Sequence, residues 1–446
     1  MSASQRAATR PEPYPDPARS PRRHPARGNG PLAGIRVADF CWVGVGALAT
    51  RVLADYGAEV IKIEDRKRVD MTRRLPMYKN ERARAFGDED VNPDVNRSGH
   101  FSNYNRNKLS LTVDMRHGKG RALIERLVAA SSLVTENFAP GVMERWGLTY
   151  ERLCELRPDV IFARMSGYGH SGPDADFRSY GPVIQAVSGL SYISGLPGMP
   201  PSGWGLSYMD NQAAYFNSAA LMMAIYDRHL TGRGTEIDVA ALEVGVKLLG
   251  PLLLEVTANG RCTRAEEFPL GNQLEHPPVA PHGVYPLKGE DRWVAIAVFS
   301  EGEWAALKHL MGNPAWAEAA EFHDMRARHA NRVALERHLS EWTAIQEPRG
   351  ITEQLQQAGV CGALVQNAED LNEHDPQLAA RGVFFEMDHP VIGRARFEGS
   401  PTLFSRIKQV SWRSGPLLGE DNHYVLTDIL GINDAEVEAL AAEGVI

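Results

Sequence analysis

The stretch that sets the fold of this chain is Ile35-Arg36-Val37-Ala38-Asp39-Phe40, an apolar run followed by the glycine turn Gly44-Val45-Gly46. Residues 47–56 then have the apolar spacing of a helix, and a second apolar run, 60–63, ends on Glu64. A strand, a helix and a strand in this order predict a βαβ unit, because parallel strands need a crossover connection. Glycines in the first turn let the backbone approach a ligand, and a helix N-terminus offers free N–H groups to an anion. The stretch therefore predicts a nucleotide- or phosphate-binding unit.

Length and composition narrow the class of protein. At 446 residues the chain is too long for one ordinary core, so two domains are expected. Hydrophobic residues make up 43% and charged residues 23%, which is typical of a soluble globular protein. The net charge of -8 argues against nucleic acid as the main partner, since phosphate backbones need a basic surface. No apolar run reaches the ~18 residues of a membrane helix, so no membrane partner is expected.

The cysteines and the first residues give two further expectations. The four cysteines lie far apart and lack metal or redox spacing, which indicates reduced thiols in a cytoplasmic protein. Residues 1–30 contain six prolines and six arginines and almost no large apolar side chain. We expect these residues to form a disordered tail without a secretory signal.

Alternating strand and helix patterns continue from residue 31 to about 240 and predict an α/β domain with a parallel sheet. Residues 260–395 are richer in loops and predict a smaller α+β domain. Residues 400–446 are expected to return to the large domain, with 425–430 and 435–442 as surface helices. Ligands of parallel sheets bind beyond the carboxyl ends of the strands, which places three loops at one rim. These loops are 42–46, 137–141 and 166–172.

Several motifs allow more than one interpretation. Gly44, Gly46 and Ala49, with Glu64 after them, fit a dinucleotide fingerprint, another kind of adenine-nucleotide site, or a tight turn. NAD or FAD is disfavoured because Trp42 separates the motif from the strand end. The segment 169–172 has the wrong spacing for a hydrolase nucleophile elbow. The histidines form no pair with zinc-site spacing, so we expect no metal.

Asp210 precedes a long predicted helix, 211–230. One interpretation is a helix N-cap, a position that aspartate prefers. The other is a carboxylate nucleophile for acyl transfer, placed where a helix dipole favours negative charge. Both interpretations can hold at once.

Eight motifs in order resemble the family III CoA-transferases, also called the CaiB/BaiF family. The similarity covers about residues 31–430. The motifs lie at 31–37, 57–64, 105–108, 136–141, 166–173, 232–234, 375–382 and 416–420.

The resemblance implies a Rossmann-like large domain that binds coenzyme A, a smaller domain, and an interlocked homodimer. The co-substrates would be an acyl-CoA donor, such as succinyl-CoA, and a small carboxylic acid, with no metal and no redox cofactor. Asp210 matches the nucleophile of the family, which attacks the donor thioester and then carries CoA as an aspartyl-CoA thioester.

The resemblance also assigns residues to CoA binding. An aspartate, Asp65, occupies a position that is often basic in the family, so the 3′-phosphate contact is expected to be made by Arg66 or Lys67, or to be weaker than in the family. Arg178 stands where the family often has a phosphate-binding lysine, and Tyr180 matches an active-site tyrosine. The remaining assigned residues are Val43, Gly44, Asn107, Lys108, Asn137, Phe138 and Arg145.

Two alternatives to a transferase remain open. The same fold hosts 2-methylacyl-CoA racemases, but their Gly-His-Asp motif is replaced here by Ser179-Tyr180-Gly181. A non-catalytic CoA-binding protein is the other alternative. The acyl group is also open. The charged insert 78–101 suits a dicarboxylic acid or is a solvated loop, whereas an aromatic acyl pocket would use Trp42, Trp204, Tyr208 and Phe216.

Overall fold

The computed structural model describes residues 30–75, 95–260, 270–275, 277–407 and 413–446. Nearly all of the predicted tail and most of the charged insert lie outside these ranges. The described residues divide into two compact units. The first comes from Met1–Leu190, Trp204–Leu254 and Gln377–Ile446, and the second from Ser191–Gly203 and Glu255–Pro376. Residues 377–395, which the sequence assigned to the smaller domain, thus group with the first unit.

The first unit contains a six-stranded parallel sheet in the order β3-β2-β1-β4-β5-β6, the order of a Rossmann sheet. The predicted parallel sheet is confirmed. Val37 lies between Val60 and Leu133 in register, and β1 to β4 are almost wholly buried, as expected for a sheet covered on both faces. The strands are β1 Arg36–Asp39, β2 Glu59–Glu64, β3 Leu109–Thr112, β4 Leu133–Glu136, β5 Ile161–Ser166 and β6 Thr235–Ala240.

Helices connect these strands, and two of them position the site. The helix after β1 begins at Val45, and the long helix predicted at 211–230 begins earlier, at Tyr208. The helices are α1 Val45–Asp55, α2 Gly99–Tyr104, α3 Gly118–Ala129, α4 Val142–Arg145, α5 Tyr150–Leu156, α6 Gly181–Val187, α7 Leu190–Ile193, α8 Tyr208–Thr231, α9 Ala241–Leu248 and α10 Gly250–Asn259. A 3₁₀ turn covers Met71–Arg74. No helix in the described ranges combines the length and apolarity needed to cross a bilayer.

The second unit has its own core around a three-stranded antiparallel sheet in the order β11-β10-β9. The predicted strands at 293–298 and 360–365 are confirmed, and Trp304, Leu307 and Phe322 are buried against them. Its strands are β7 Leu274–Glu275, β8 Pro278–Val279, β9 His282–Pro286, β10 Trp293–Ala297 and β11 Cys361–Val365. Its helices are α11 Glu301–Leu310, α12 Met325–Ala330, α13 Arg332–Thr343 and α14 Ile351–Gln357.

The last part of the chain completes the first unit. It contains α15 Pro376–Arg381, the hairpin β12 Phe384–His389 and β13 Gly393–Glu398, α16 Asn422–Tyr424, the π-helix Val425–Ile429, and α17 Asp434–Ala442. The predicted surface helix at 435–442 is confirmed, since α17 is exposed along most of its length, whereas the segment predicted at 425–430 is a partly buried π-helix. Val425, Leu426 and Leu440 are buried in the same cluster as Ala38 and Ile61, so the apolar side of each element packs on one face of the sheet.

Buried ion pairs lie beneath the carboxyl edge of the sheet. Lys108 donates to the Asp39 carboxylate at 3.0 Å, to the Thr50 hydroxyl at 2.8 Å and to the Ala47 carbonyl at 2.9 Å. Burial alone would raise the pKa of Asp39, but the Lys108 and Lys62 ammonium groups outweigh this effect and hold the pKa below its usual value. Neither charge of the pair is exposed. The Lys108–Asp39 pair therefore acts inside the fold.

We predict that Lys108→Met lowers the free energy of unfolding by about 3–5 kcal/mol, because it leaves the Asp39 charge buried without its partner. Urea unfolding measures the change. The matched control is Lys119→Met, which breaks the exposed pair with Glu443 and should cost less than about 1 kcal/mol. Equal losses in the two variants would contradict an interior role for Lys108.

Candidate active site

A cavity of about 790 Å³ opens at the carboxyl edge of the parallel sheet. Its walls are the loops that follow the first five strands, β1 to β5, together with the start of α6 and the first turn of α8. This is the edge at which open α/β sheets bind their ligands. All the lining residues belong to the first unit. The three loops that the sequence placed at one rim therefore do meet around one space.

Asp210 lies in this wall, in the first turn of α8. The N-cap is Ser207, so the interpretation of Asp210 as the N-cap was wrong, because the helix begins two residues before it. Burial removes water from the carboxylate and raises the pKa of Asp210 to about 6, although a hydrogen bond from the Ser207 side chain acts in the opposite direction. Near neutral pH the carboxylate is still ionised, and it is more basic than an ordinary aspartate.

Two glycines let the backbone pack directly against this carboxylate. A Cβ atom on Gly44 would lie 2.9 Å from Asp210 Oδ2, and one on Gly181 would lie 3.0 Å from it. Real Cβ atoms essentially never come as close as 2.9 Å, so a side chain at position 44 would displace the carboxylate, and one at position 181 would push it by a few tenths of an ångström. Gly44 is the N-cap of α1, with a negative φ that any residue adopts. Glycine is therefore needed at position 44 for space and not for backbone conformation.

The turn before Gly44 has an unusual backbone. Val43 has a φ of +61°, a conformation that β-branched residues rarely adopt and that costs on the order of 1–3 kcal/mol. The Asn137 side chain makes hydrogen bonds to both backbone groups of Trp42, the residue before Val43. It accepts from the Trp42 N–H at 2.8 Å and donates to the Trp42 carbonyl at 2.6 Å. The Val43 N–H donates to Asp70, whose two carboxylate oxygens lie 3.2 Å away.

Aromatic rings form one wall of the cavity. The Phe138 ring meets the Trp42 and Trp146 rings edge to face, each with a centroid distance of 5.6 Å. The Trp42 indole donates to the carbonyl of Ile63 at 3.2 Å, and the Arg68 guanidinium lies 5.9 Å from the Trp42 ring centroid. Such a wall can hold a flat ring or an apolar chain.

Basic side chains line another part of the cavity. Lys67, Arg68 and Arg116 are all in the lining. Lys67 pairs with Asp114 at 3.2 Å, and Arg116 pairs with Asp65 at 3.1 Å. These pairs are solvent-accessible on the basic side, so an anionic ligand can compete for the cations at low cost.

A buried glutamate supports the β4 loop from behind. Glu136 accepts from the Phe138 N–H at 2.7 Å and from Arg164 at 3.1 Å, and His170 lies 3.3 Å away. Burial raises the pKa of Glu136 to about 7 despite these hydrogen bonds. Glu136 begins one of the family motifs, but the sequence did not predict this supporting role. Its position at the carboxyl end of β4, next to the expected ligand site, was the feature of the sequence that could have indicated this role.

The structure brings some of the sequence-assigned residues to the cavity and not others. Val43, Gly44, Asn137, Phe138, Tyr180 and Asp210 line it. Arg66, Arg145 and Arg178 are exposed and do not line the cavity. Of the two neighbours proposed for the 3′-phosphate contact, Lys67 lines the cavity and Arg66 does not. Asn107 and Lys108 are buried away from it, where Asn107 donates to Asp55 at 2.9 Å. Across the described ranges no group of three or more histidine, cysteine or acidic side chains is arranged to hold a metal ion.

Fold and site together define an α/β protein of the Rossmann-like class with a carboxylate in its ligand cavity. A family model described as CoA-transferase family III matches residues 32–422. A succinyl-CoA–D-citramalate CoA-transferase of Chloroflexus aurantiacus is 31% identical over 417 residues, covering 93% of this chain and 98% of that protein. A formyl-CoA:oxalate CoA-transferase of Streptomyces avermitilis is 30% identical, covering 93% of this chain and 99% of that protein.

A solved structure is also similar. The crystal structure of a CaiB/BaiF family protein from Brucella suis superposes with a TM-score of 0.78 at 27% identity, over 90% of this chain and 100% of that one. The chain therefore belongs to CoA-transferase family III. It is an enzyme of the CoA-transferase class, as the sequence resemblance implied.

We predict that Asp210→Asn stabilises the protein at pH 8 and not at pH 4. A folded-state pKa raised from 3.8 to about 6 means that the ionised carboxylate costs stability, at most about 3 kcal/mol, once the pH is above both values. The cost falls as pH drops through 6 and is absent below 3.8. Urea unfolding of both proteins across this range measures it. A gain from the variant that is equal at pH 4 and pH 8 would contradict the argument.

Proposed function

We propose that this chain transfers CoA from an acyl-CoA donor to a free carboxylic acid through an aspartyl-CoA thioester on Asp210. The observation that carries the proposal is one cavity lined by both the Asp210 carboxylate and the aromatic and basic residues suited to CoA. A nucleotide thioester needs a long cleft with an anion-binding end and an apolar middle, and this cavity lies within the usual volume range of ligand sites.

The chemistry needs only the carboxylate. An Asp210 oxygen attacks the thioester carbonyl of the donor, the C–S bond breaks, and a mixed anhydride and CoA thiolate result. The thiolate attacks the aspartyl carbonyl of the anhydride, which gives the aspartyl-CoA thioester and releases the donor acid as a carboxylate. The acceptor carboxylate then runs the same steps in reverse. Each step exchanges one anion for another, so no net proton is transferred.

The protein environment suits these steps. Asp210 must be ionised to attack, and a pKa of about 6 keeps it ionised near neutral pH and more nucleophilic than an exposed aspartate. Enclosure of the anhydride and thioester also protects them from hydrolysis. The N-terminal ends of α1 and α8 both contribute lining residues, so the positive ends of two helix dipoles lie at the cavity and favour the negative charge that the reaction develops there.

The residues around the cavity suggest how CoA binds. We assign the aromatic wall of Trp42, Phe138 and Trp146 to the adenine or pantetheine portion. We assign the phosphates to Lys67, Arg68 and Arg116, because these cations line the cavity and the side chains of Lys67 and Arg116 are well exposed to solvent. Lys67 thereby replaces Arg66 as the proposed 3′-phosphate contact.

We further propose that the enzyme works as a homodimer with interlocked protomers. One face of α8 leaves Met223, Tyr226 and Leu230 about two-thirds exposed. Large apolar side chains clustered on a helix surface are typical of an interaction site. The acceptor is proposed to be a small carboxylic acid, since D-citramalate and oxalate appear in the names of two relatives.

We predict that mixing the enzyme with succinyl-CoA, or another donor from a panel of acyl-CoAs, gives a CoA-sized mass increase on the Asp210 peptide that hydroxylamine removes. Asp210→Asn should form no adduct and should still bind CoA, because the amide keeps the shape of the site. Intact-protein mass spectrometry and isothermal titration calorimetry measure the two properties. The matched control is Asp227→Asn, an exposed aspartate on the same helix, which should behave as wild type.

Two outcomes would count against the proposal. The first is a wild-type adduct rate in Asp210→Asn. The second is an absent adduct with every donor, and α-proton exchange with solvent in that case would favour the racemase alternative.

A further inference from the structure

The turn Cys41–Gly44 is held by side chains that lie outside it. Lys62 donates to the Cys41 carbonyl at 2.7 Å, Asn137 brackets Trp42, and Asp70 accepts from the Val43 N–H. Lys62, Asp70 and Cys41 are fully buried, and Val43 is half-buried. The turn therefore keeps its conformation because its surroundings fix it, and not because its own residues favour it.

Asp70 lies at the centre of this support. Its Oδ1 accepts from the Thr72 N–H at 2.9 Å and the Thr72 hydroxyl at 2.8 Å, and its Oδ2 accepts from Lys62 at 2.7 Å. Both charges of the Lys62–Asp70 pair are completely buried. Lys62 of β2 and Thr72 of the 3₁₀ turn thus hold the Asp70 carboxylate in place. The same carboxylate accepts a hydrogen bond from the N–H of Val43, the residue of the Cys41–Gly44 turn that has a positive φ.

The residue after Val43 is the one that touches Asp210. Gly44 packs so closely on the Asp210 carboxylate that a Cβ would lie 2.9 Å from Oδ2. If Val43 relaxed to a negative φ, Gly44 would rotate away from this contact and the cavity wall beside the carboxylate would change. The conformation of Val43 therefore determines the surroundings of Asp210.

We propose that Asp70 is a positioning residue for CoA transfer, acting through the Val43 N–H to keep Gly44 against the carboxylate of Asp210. This inference rests on the proposed role of Asp210 as the nucleophile. Asp70 itself does not line the cavity. Its charge is compensated by Lys62, so it acts on Asp210 through geometry.

The test weakens the hydrogen bonds that Asp70 and Lys62 make to the turn, and it leaves neither charge of this pair buried without the other. In Asp70→Asn combined with Lys62→Met, both charges are lost. The first-order rate of adduct formation on Asp210 at saturating acyl-CoA should fall about tenfold, because small misplacements of reacting groups are costly. The matched control is Asp55→Asn with Arg106→Met, which removes another buried ion pair of the same unit, one that does not touch the turn. It should lower the melting temperature similarly and keep the wild-type adduct rate.

A second comparison uses the strained residue itself. Glycine adopts a φ of +61° without cost, so a Val43→Gly background should need Asp70 less. In that background the Asp70→Asn/Lys62→Met pair should slow adduct formation less than about threefold, compared with about tenfold in the valine background. A purely structural role for Asp70 would lower stability in both backgrounds and show no such rescue.

The outcomes are distinguishable. An unchanged adduct rate in the Asp70→Asn/Lys62→Met enzyme, an equal loss in the Asp55→Asn/Arg106→Met enzyme, or an absent rescue by Val43→Gly would each overturn the positioning role. If the double variant does not fold, Asp70→Glu keeps the charge pair but moves the carboxylate by one methylene, and wild-type adduct formation in it would also overturn the role. If the wild-type enzyme forms no adduct, the proposed function fails first.

Discussion

The hydrogen bonds that fix the Cys41–Gly44 turn are the constraint on which the cavity depends. A valine with a φ of +61° is unfavourable by itself, and each neutral hydrogen bond to the turn is worth only about 1 kcal/mol. Bonds to the charged groups of Lys62 and Asp70 are stronger, and in a buried setting their loss would leave unpaired charge. The buried ion pairs beneath the edge of the sheet therefore supply the free energy that offsets the cost of the Val43 backbone conformation.

The buried pairs come as matched charges. Lys62 pairs with Asp70, Lys108 with Asp39, and Arg73 makes two parallel bonds of 2.8 Å to Glu64. Asp210 differs from all of them, since no cation in the described part of the chain contributes to the shift of its pKa. A carboxylate without a cationic partner is less stable when ionised and more ready to react. The domain thus stabilises its structural carboxylates and leaves the proposed nucleophile without that stabilisation.

The sequence predicted those helices and strands whose apolar residues follow a clear pattern along a short stretch of chain. The βαβ unit from Ile35 to Glu64 follows from apolar periodicity and glycine placement, and the strand ends that carry Asn137 and Phe138 follow from the same rules. The strand Leu109–Thr112 was not predicted although it is as long as β1 and β4, because Ser110 and Thr112 interrupt the continuous apolar run that marks those strands.

Residues whose roles depend on distant partners could not be assigned from the sequence. Lys108 follows polar neighbours and suggests a phosphate contact, yet its partner Asp39 lies 69 positions earlier. Asp70 lies 27 positions from the N–H it accepts, and no local pattern indicates that contact. Lys67 and Arg66 are adjacent and chemically similar, and only the three-dimensional path of the chain decides which of them lines the cavity.

The first unit is built from segments that are far apart in the sequence, and this affects the order in which the two units fold during translation. Its main core combines residues from Ala38 to Phe162 with Val425, Leu426 and Ile446, and the residues of the second unit from 255 to 376 lie between these two groups in the sequence. During translation the ribosome completes the second unit while the first still lacks part of its core. Since domains fold as units as they emerge, the unit encoded in the middle can reach its native state before the one encoded around it. Until residues 425–446 emerge, the nascent enzyme leaves part of one face of its parallel sheet uncovered, and chaperones have that interval in which to bind it.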